Sequence, residues 1–242
     1  MSAPRKLVAI HQPNFFPWLG FFNKIARADC FILLDNVQLP KTGGSWVNRS
    51  KILAGPGKDK WLTLPVDRSY HGTRLITETQ ISMPASERYR LADVVRFNYQ
   101  KAPAFAEVFP VLEPLLKSPE MNLAEYNILA ITTLAQRLGI PGGRFVRSST
   151  LPSAGEVSTE RLVTLVREVG GNAYLYGAVA AATYQENEKF EAAGIAPVAQ
   201  NFSHPRYAQF NTPEFAAGMS IIDALMNLGF AGTQGLLPGN TA

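Results

Sequence analysis

Two short apolar runs, Leu7–His11 and Cys30–Leu34, enclose a single segment of helical periodicity, all within about thirty residues. Pro13 stops the first run, Phe21, Phe22, Ile25 and Ala26 recur at the spacing of one helix face, and Asp35 and Asn36 end the second run. Strand, loop, helix, strand over so short a distance is a βαβ unit, because parallel strands need a long crossover rather than a tight turn. A parallel sheet binds its ligands in the crevice beyond the carboxyl ends of its strands. The two polar clusters, His11-Gln12-Asn14 and Asp35-Asn36, fall at those ends.

The same α/β rhythm returns late in the chain. Phe145–Ser148, Ala173–Tyr176 and Ile195–Gln200 read as strands, separated by helices from Ser158, as its cap, through Val169 and over Val179–Ala193. Between the two halves, Thr42-Gly43-Gly44 and Gly55-Pro56-Gly57 mark turns around Trp46–Ile52 and Trp61–Val66, a hairpin-like excursion beside the site. Three helical stretches follow: Ala85–Gln100, Ala104–Leu116 interrupted by Pro110 and Pro114, and Leu123–Leu138. A last helix, Met219–Leu228, ends at Gly229. The expected fold is therefore a single α/β domain with a Rossmann-like parallel sheet, a small β excursion and a helical insert. Its parts are residues 1–84, the insert 85–140, the second α/β half 141–232 and a flexible tail 233–242.

Composition narrows the function classes. A chain of 242 residues buries roughly 70% of its unfolded surface and needs no staples to hold a core. Cys30, the one cysteine, excludes an internal disulfide framework and a Cys-rich zinc site, and no His or acid spacing suits a metal. A net charge of +4 from scattered residues is no basic stripe for double-stranded nucleic acid. No signal peptide or membrane-length apolar run is apparent, so the expected location is cytoplasmic.

The densest chemical signal is the stretch from His11 to Phe22. Here His11, Gln12 and Asn14 sit among Phe15, Phe16, Trp18, Phe21 and Phe22, directly after a buried strand. Polar groups in such company either bond loop backbone or line a pocket with an aromatic wall, where His11 would act as base or phosphate ligand. Asn48, Arg49 and Lys51, following Trp46, form the best anion-binding group, since a guanidinium clamps phosphate and an indole offers a stacking face. His204 lies on a loop across which Tyr207 and Gln209 could contact a base or sugar, and Ser148-Ser149-Thr150 beside Arg147 could contact phosphate. Cys30 reads as an inert core thiol, and Asp223 as a buried partner for a basic residue or an N-cap surrogate.

These residues carry a resemblance. The run His11-Gln12-Pro13-Asn14 with Pro17-Trp18-Leu19-Gly20, then Asp35, Asn48-Arg49, Tyr174–Gly177 and Met219-Ser220-Ile221-Ile222-Asp223, resembles the WbqC-like family of bacterial surface-polysaccharide gene clusters over nearly the full chain. The resemblance implies a transferase acting on amino-sugar or nucleotide-sugar precursors of O-antigen or related glycoconjugates, with glycyl transfer as the proposed activity. It also implies functional positions at His11, Gln12, Asn14, Asp35, Asn48, Arg49 and Gly177. This chain differs by carrying Tyr176 where a small Ser is expected before that glycine, a change that bears on pocket size. On this reading His11 is the general base, Asp35 orients it, and Arg49 with Lys51 holds phosphates. Glycyl transfer needs an activated donor, namely an adenylate, a thioester or an aminoacyl-tRNA.

The opening strand, Phe-x-Pro loop, helix and strand ending in Asp is also similar to the start of nucleotidylyltransferases and adenylate-forming enzymes. Those enzymes set a His pair around the turn, where this chain has only His11. Two other readings therefore stay open: a non-catalytic protein that carries a nucleotide sugar to a partner enzyme of its pathway, and nucleotidyl transfer. The transferase reading further expects His11, Trp18, Asp35 and Arg49 to share one pocket.

Overall fold

A computed structural model of the chain describes residues 4–40, 45–152, 157–177, 186–210 and 212–237. The opening βαβ unit is present as β1 (Leu7–His11), α1 (Leu19–Arg27) and β2 (Cys30–Leu33). β1 pairs in parallel with β2, Val8 opposite Cys30 and His11 opposite Leu33. The later strands are β5 (Phe145–Arg147), β6 (Ala173–Tyr176) and β7 (Ala196–Ala199). Together they form a five-stranded sheet in the order β5-β2-β1-β6-β7, every neighbouring pair parallel. From β1 the chain first builds outward through β2 to β5, then returns to lay β6 and β7 on the opposite flank. This is the strand order of a Rossmann-like α/β fold, and its reversal point lies between β1 and β6.

Strand alternation divides the interior in two. Ala9, Phe31, Leu33 and Leu175 face one core, while Val8, Ile10, Cys30, Ile32 and Tyr174 face the other. The second core is closed by Leu165 and Val166 of α5 (Ser158–Glu168) and by Phe190 of α6 (Asn187–Ala192). The first core is larger and unites α1 with everything inserted between β2 and β5. That insert comprises the antiparallel hairpin β3 (Arg49–Leu53) and β4 (Asp59–Thr63), followed by helices α2 (Tyr89–Tyr99), α3 (Phe105–Leu116) and α4 (Leu123–Arg137). The final α7 (Ile221–Gly235) packs into the same core through Ile221, Ile222, Leu225 and Met226.

Three local expectations change. α3 runs unbroken through Pro110 and Pro114, because both prolines lie on its exposed face and the carbonyls they leave unpaired are open to water. Val157, not Ser158, occupies the N-cap of α5, and Ser158 itself has a φ of 57°. The last helix stops at Gly229, at φ 70°, where a Cβ would strike Glu107, but a further helical stretch then runs to Gly235, its Phe230 amide donating to the Glu107 carboxylate. Thr233 and Leu237 are buried, so packed chain extends into the expected tail, while residues 238–242 lie outside the described residues. The helix expected over Val179–Ala193 is described only as α6, since 178–185 also lie outside them.

Asp223 ties these layers together, and its partners are phenols and an amide rather than a base. Tyr99 of α2 donates to its Oδ1 at 2.9 Å, and Tyr207 and Gln209 donate to its Oδ2 at 2.7 and 2.8 Å. The Tyr99 hydroxyl in turn accepts from the Leu53 amide of β3. Burial pushes the Asp223 carboxyl above its ordinary value, yet three side-chain donors converge on it from two separate segments. Asp223→Ala would leave the buried Tyr99 and half-buried Tyr207 hydroxyls without their acceptor and take from the Gln209 amide one of its two, so it is expected to lower unfolding stability by about 3 kcal/mol in denaturant titrations. Asp223→Asn, which keeps an acceptor oxygen, should cost less.

Candidate functional site

The loop that leaves β1 is built to hold polar groups at the sheet's reversal point. Phe15 and Phe16 are fully buried and anchor it, and the Phe15 amide donates to the Trp46 carbonyl. Phe16 takes a φ of 38°, unusual for a residue with a Cβ. Ser220 Oγ donates to the Phe16 carbonyl at 2.6 Å and helps hold it there. The buried Asn127 of α4 donates to the carbonyls of both Pro13 and Val47, tying this loop to the segment that carries Trp46. The loop is thus fixed from α4, from α7 and from the segment before the hairpin.

A cavity of about 790 Å³ opens beyond the ends of β1 and β6, well within the range of small-molecule sites. His11, Gln12 and Asn14 line its floor, and Trp18, Trp46 and Phe21 form an aromatic wall. The Trp18 and Trp46 rings meet edge to face at 5.2 Å. Gly177, Gln200, Phe202 and His204 complete the lining, with Phe202 packed beside Trp18 over Gly20. Gln200 is held in place by donating to the Gly20 carbonyl and to Asn23 Oδ1 of α1. None of the described residues that line the cavity carries a carboxylate.

Two titratable groups define its electrostatics. His11 Nδ1 lies 3.0 Å from the Gln12 carbonyl, which can only accept, so Nδ1 bears the proton and Nε2 keeps its lone pair. Burial, and then the positive charge of Lys24, lower the imidazole from its ordinary 6.5 to about 4. The ring is neutral at physiological pH. Lys24 lies on α1, only 5% exposed, and reaches the cavity with Nζ 3.4 Å from the Ile10 carbonyl. Burial brings its ammonium down to about 8, so it remains largely charged near neutrality.

Several expected site residues are employed elsewhere. Asp35 does not orient His11. Its buried carboxylate accepts from Ser148 Oγ, Ser149 Oγ and the Ser149 amide, clamping the end of β2 to that of β5. This occupies Ser148 and Ser149, while Arg147 forms a bidentate pair with Glu125. Asn48 is buried and donates to the Leu64 carbonyl. Arg49 stacks over Trp61 at 4.2 Å, and Lys51 pairs with Asp59, so both cations face the hairpin rather than the cavity. Tyr207 and Gln209 serve Asp223. Tyr176 turns with Tyr174 toward the second core, their rings 6.5 Å apart, and its bulk takes nothing from the cavity, whereas Gly177 borders it. Of the four residues expected to share one pocket, His11 and Trp18 line it and Asp35 and Arg49 do not.

Lys24, Gln200 and Phe202 went unrecognised in the sequence reading, and Trp46 was read only as a companion to Arg49. One signal for Lys24 was present: it is the lone cation within an apolar helical stretch, four residues after Gly20, and therefore on the same helix face. Nothing local pointed to Gln200 or Phe202.

The family model described as the WbqC-like protein family matches residues 12–234. A Mycobacterium tuberculosis (strain ATCC 25618 / H37Rv) protein named "Uncharacterized protein Rv1507c" is 31% identical over 227 residues, which cover 93% of this chain and 94% of that one. No solved structure matches the chain.

The lowered imidazole value gives the site a pH signature. Between pH 6.5 and 4 the unfolded chain takes up a proton at His11 that the folded chain refuses. The group's contribution to stability is therefore fully present above 6.5 and lost as pH falls through 4. In a ¹H–¹⁵N NMR titration, the His11 ring is expected to titrate near 4, with the Nδ1-H tautomer above that point. A midpoint near 6.5 would contradict this geometry.

Proposed function

The chain belongs to the WbqC-like protein family, and from that premise we propose that it is a transferase acting on an amino-sugar or nucleotide-sugar precursor of a surface glycoconjugate, transferring a glycyl or other aminoacyl group. The observation that carries this reading is the cavity at the sheet's reversal point, with a neutral His11 and an aromatic wall at its floor. Flat indole faces such as Trp18 and Trp46 suit the apolar face of a pyranose or a base. Gln12, Asn14, Gln200 and His204 supply the few polar contacts that orient such a ligand.

The chemistry follows from the acceptor. The amine nitrogen of the sugar attacks the carbonyl carbon of an activated acyl donor, forming the C–N bond. The donor's leaving group, whether the phosphate of an adenylate, a thiolate or a tRNA hydroxyl oxygen, departs with the electron pair of the broken bond. The attacking nitrogen becomes cationic and strongly acidic, so a neutral imidazole accepts its proton even with a depressed pKa. His11 Nε2 is the acceptor in this scheme. That no described residue lining the cavity carries a carboxylate favours a second reading, in which the cavity carries a nucleotide sugar without reacting it.

The test is mass spectrometry of the protein incubated with ATP, glycine and a panel of nucleotide amino sugars. A new product mass is expected, and saturable binding with unchanged masses would favour the carrier. His11→Ala is expected to slow product formation about 100-fold or more, while the acceptor dissociation constant stays within a few-fold. Full rate in that variant would overturn the assignment of His11. Pyrophosphate release without acyl transfer would point to nucleotidyl transfer instead.

A further inference from the structure

We infer that Lys24 is the anion anchor of the cavity, its ammonium receiving a phosphate or carboxylate group of the ligand beside Asn14 and the first turn of α1. This rests on the reading that the cavity is the ligand site, and it moves the anion subsite away from Arg49 and Lys51, where the sequence pattern had placed it.

The first argument is an unmatched charge. A buried ammonium is costly unless an anion or a set of hydrogen bonds compensates it. Lys24 is 5% exposed, and its closest recorded acceptor, the Ile10 carbonyl, stands at a long 3.4 Å. Among the described residues no carboxylate forms an ion pair with it, and none lines the cavity. With His11 neutral and burial lowering His204 as well, Lys24 is the dominant cation of the described lining. The described lining therefore presents positive charge and supplies no carboxylate to neutralise it.

Asn14 is a second, independent observation. It is 2% exposed, it lines the same cavity, and its Oδ1 has no hydrogen-bond partner among the described residues. That oxygen can only accept, so it calls for a donor, a ligand hydroxyl or N–H lying next to the anion, since an orphaned buried acceptor is otherwise unfavourable. The geometry of α1 agrees with both. Helical side chains lean toward the N-terminus, so Lys24 reaches back toward the first turn, where Gly20 borders the cavity. That turn contains no acidic residue and Trp18 offers it no side-chain cap, so its positive end is not neutralised by a side chain. A Cβ on Gly20 would lie 2.7 Å from Phe202 and 2.9 Å from Trp18 Nε1, so glycine lets these two rings close over that turn.

The two rival cations are already engaged by their own hairpin, Arg49 over Trp61 and Lys51 with Asp59.

The experiment is binding by calorimetry and by the fluorescence of Trp18 and Trp46, on the full chain. Inorganic pyrophosphate and UDP probe the phosphate source, and glycine probes the carboxylate source. Wild type is expected to bind at least one of these, and Lys24→Met to weaken that binding about tenfold or more. Because Met removes a buried charge while keeping the stem, its melting temperature should not fall. Lys24→Arg, which keeps the charge, is expected to restore part of the affinity. The arm that binds identifies the source of the anion. Unchanged affinity in Lys24→Met, no binding of any probe by wild type, or a loss confined to Arg49→Ala would each overturn the anchor. The outcome separates from the transferase reading: anions held through Lys24 with no product of any mass would remove the transferase and keep the anchor, whereas product formation undiminished in Lys24→Met would do the reverse.

Discussion

Everything at the candidate site depends on β1 lying at the centre of a parallel sheet whose chain order reverses around it. With β2 on one flank and β6 on the other, β1 is bonded along both edges and buried on both faces. The loops that leave β1 and β6 must diverge, and the gap between them is the crevice that becomes the cavity. His11 is the last residue of β1, so the reversal alone sets it at the cavity floor.

The inserted segments wall that crevice into a half-open pocket. The segment before the hairpin brings Trp46 against Trp18, α4 contributes the Asn127 bonds that fix the loop after β1, and the stretch following β7 supplies Gln200, Phe202 and His204. The Asp223 cluster holds α2, α7 and the stretch after β7 in register with one another. A buried carboxylate there serves the shape of the cavity from a distance, with no contact to it.

Burial also sets the chemistry. Removing water from around His11 and Lys24 disfavours both charged forms, which keeps the imidazole neutral and makes the ammonium's charge expensive. The two effects are coupled, because the positive charge of Lys24 is one of the causes that lower His11. An oxyanion placed on Lys24 would offset that charge and make His11 a stronger proton acceptor when ligand is bound. A site of this kind would be least basic when empty.

The sequence by itself determined the βαβ opening, the parallel sheet, the hairpin and helical insert, and the importance of the loop from His11 to Trp18. All of these are local patterns: alternation, helical periodicity, turn residues and a polar cluster at a strand end. It erred where residue type stood in for position. Asp35, Arg49, Lys51 and Tyr207 have the chemistry of a site, and the fold spends each of them on a neighbour: the serines after β5, Trp61, Asp59 and Asp223. Lys24 shows the converse, an ordinary-looking helix lysine that becomes a cavity cation. Only the tertiary structure could decide this, because a side chain's partners are set by which distant segments pack over it. α1 is buried on nearly every face by stretches of chain far from it in sequence, and no pattern within nine residues of helix can report what covers them.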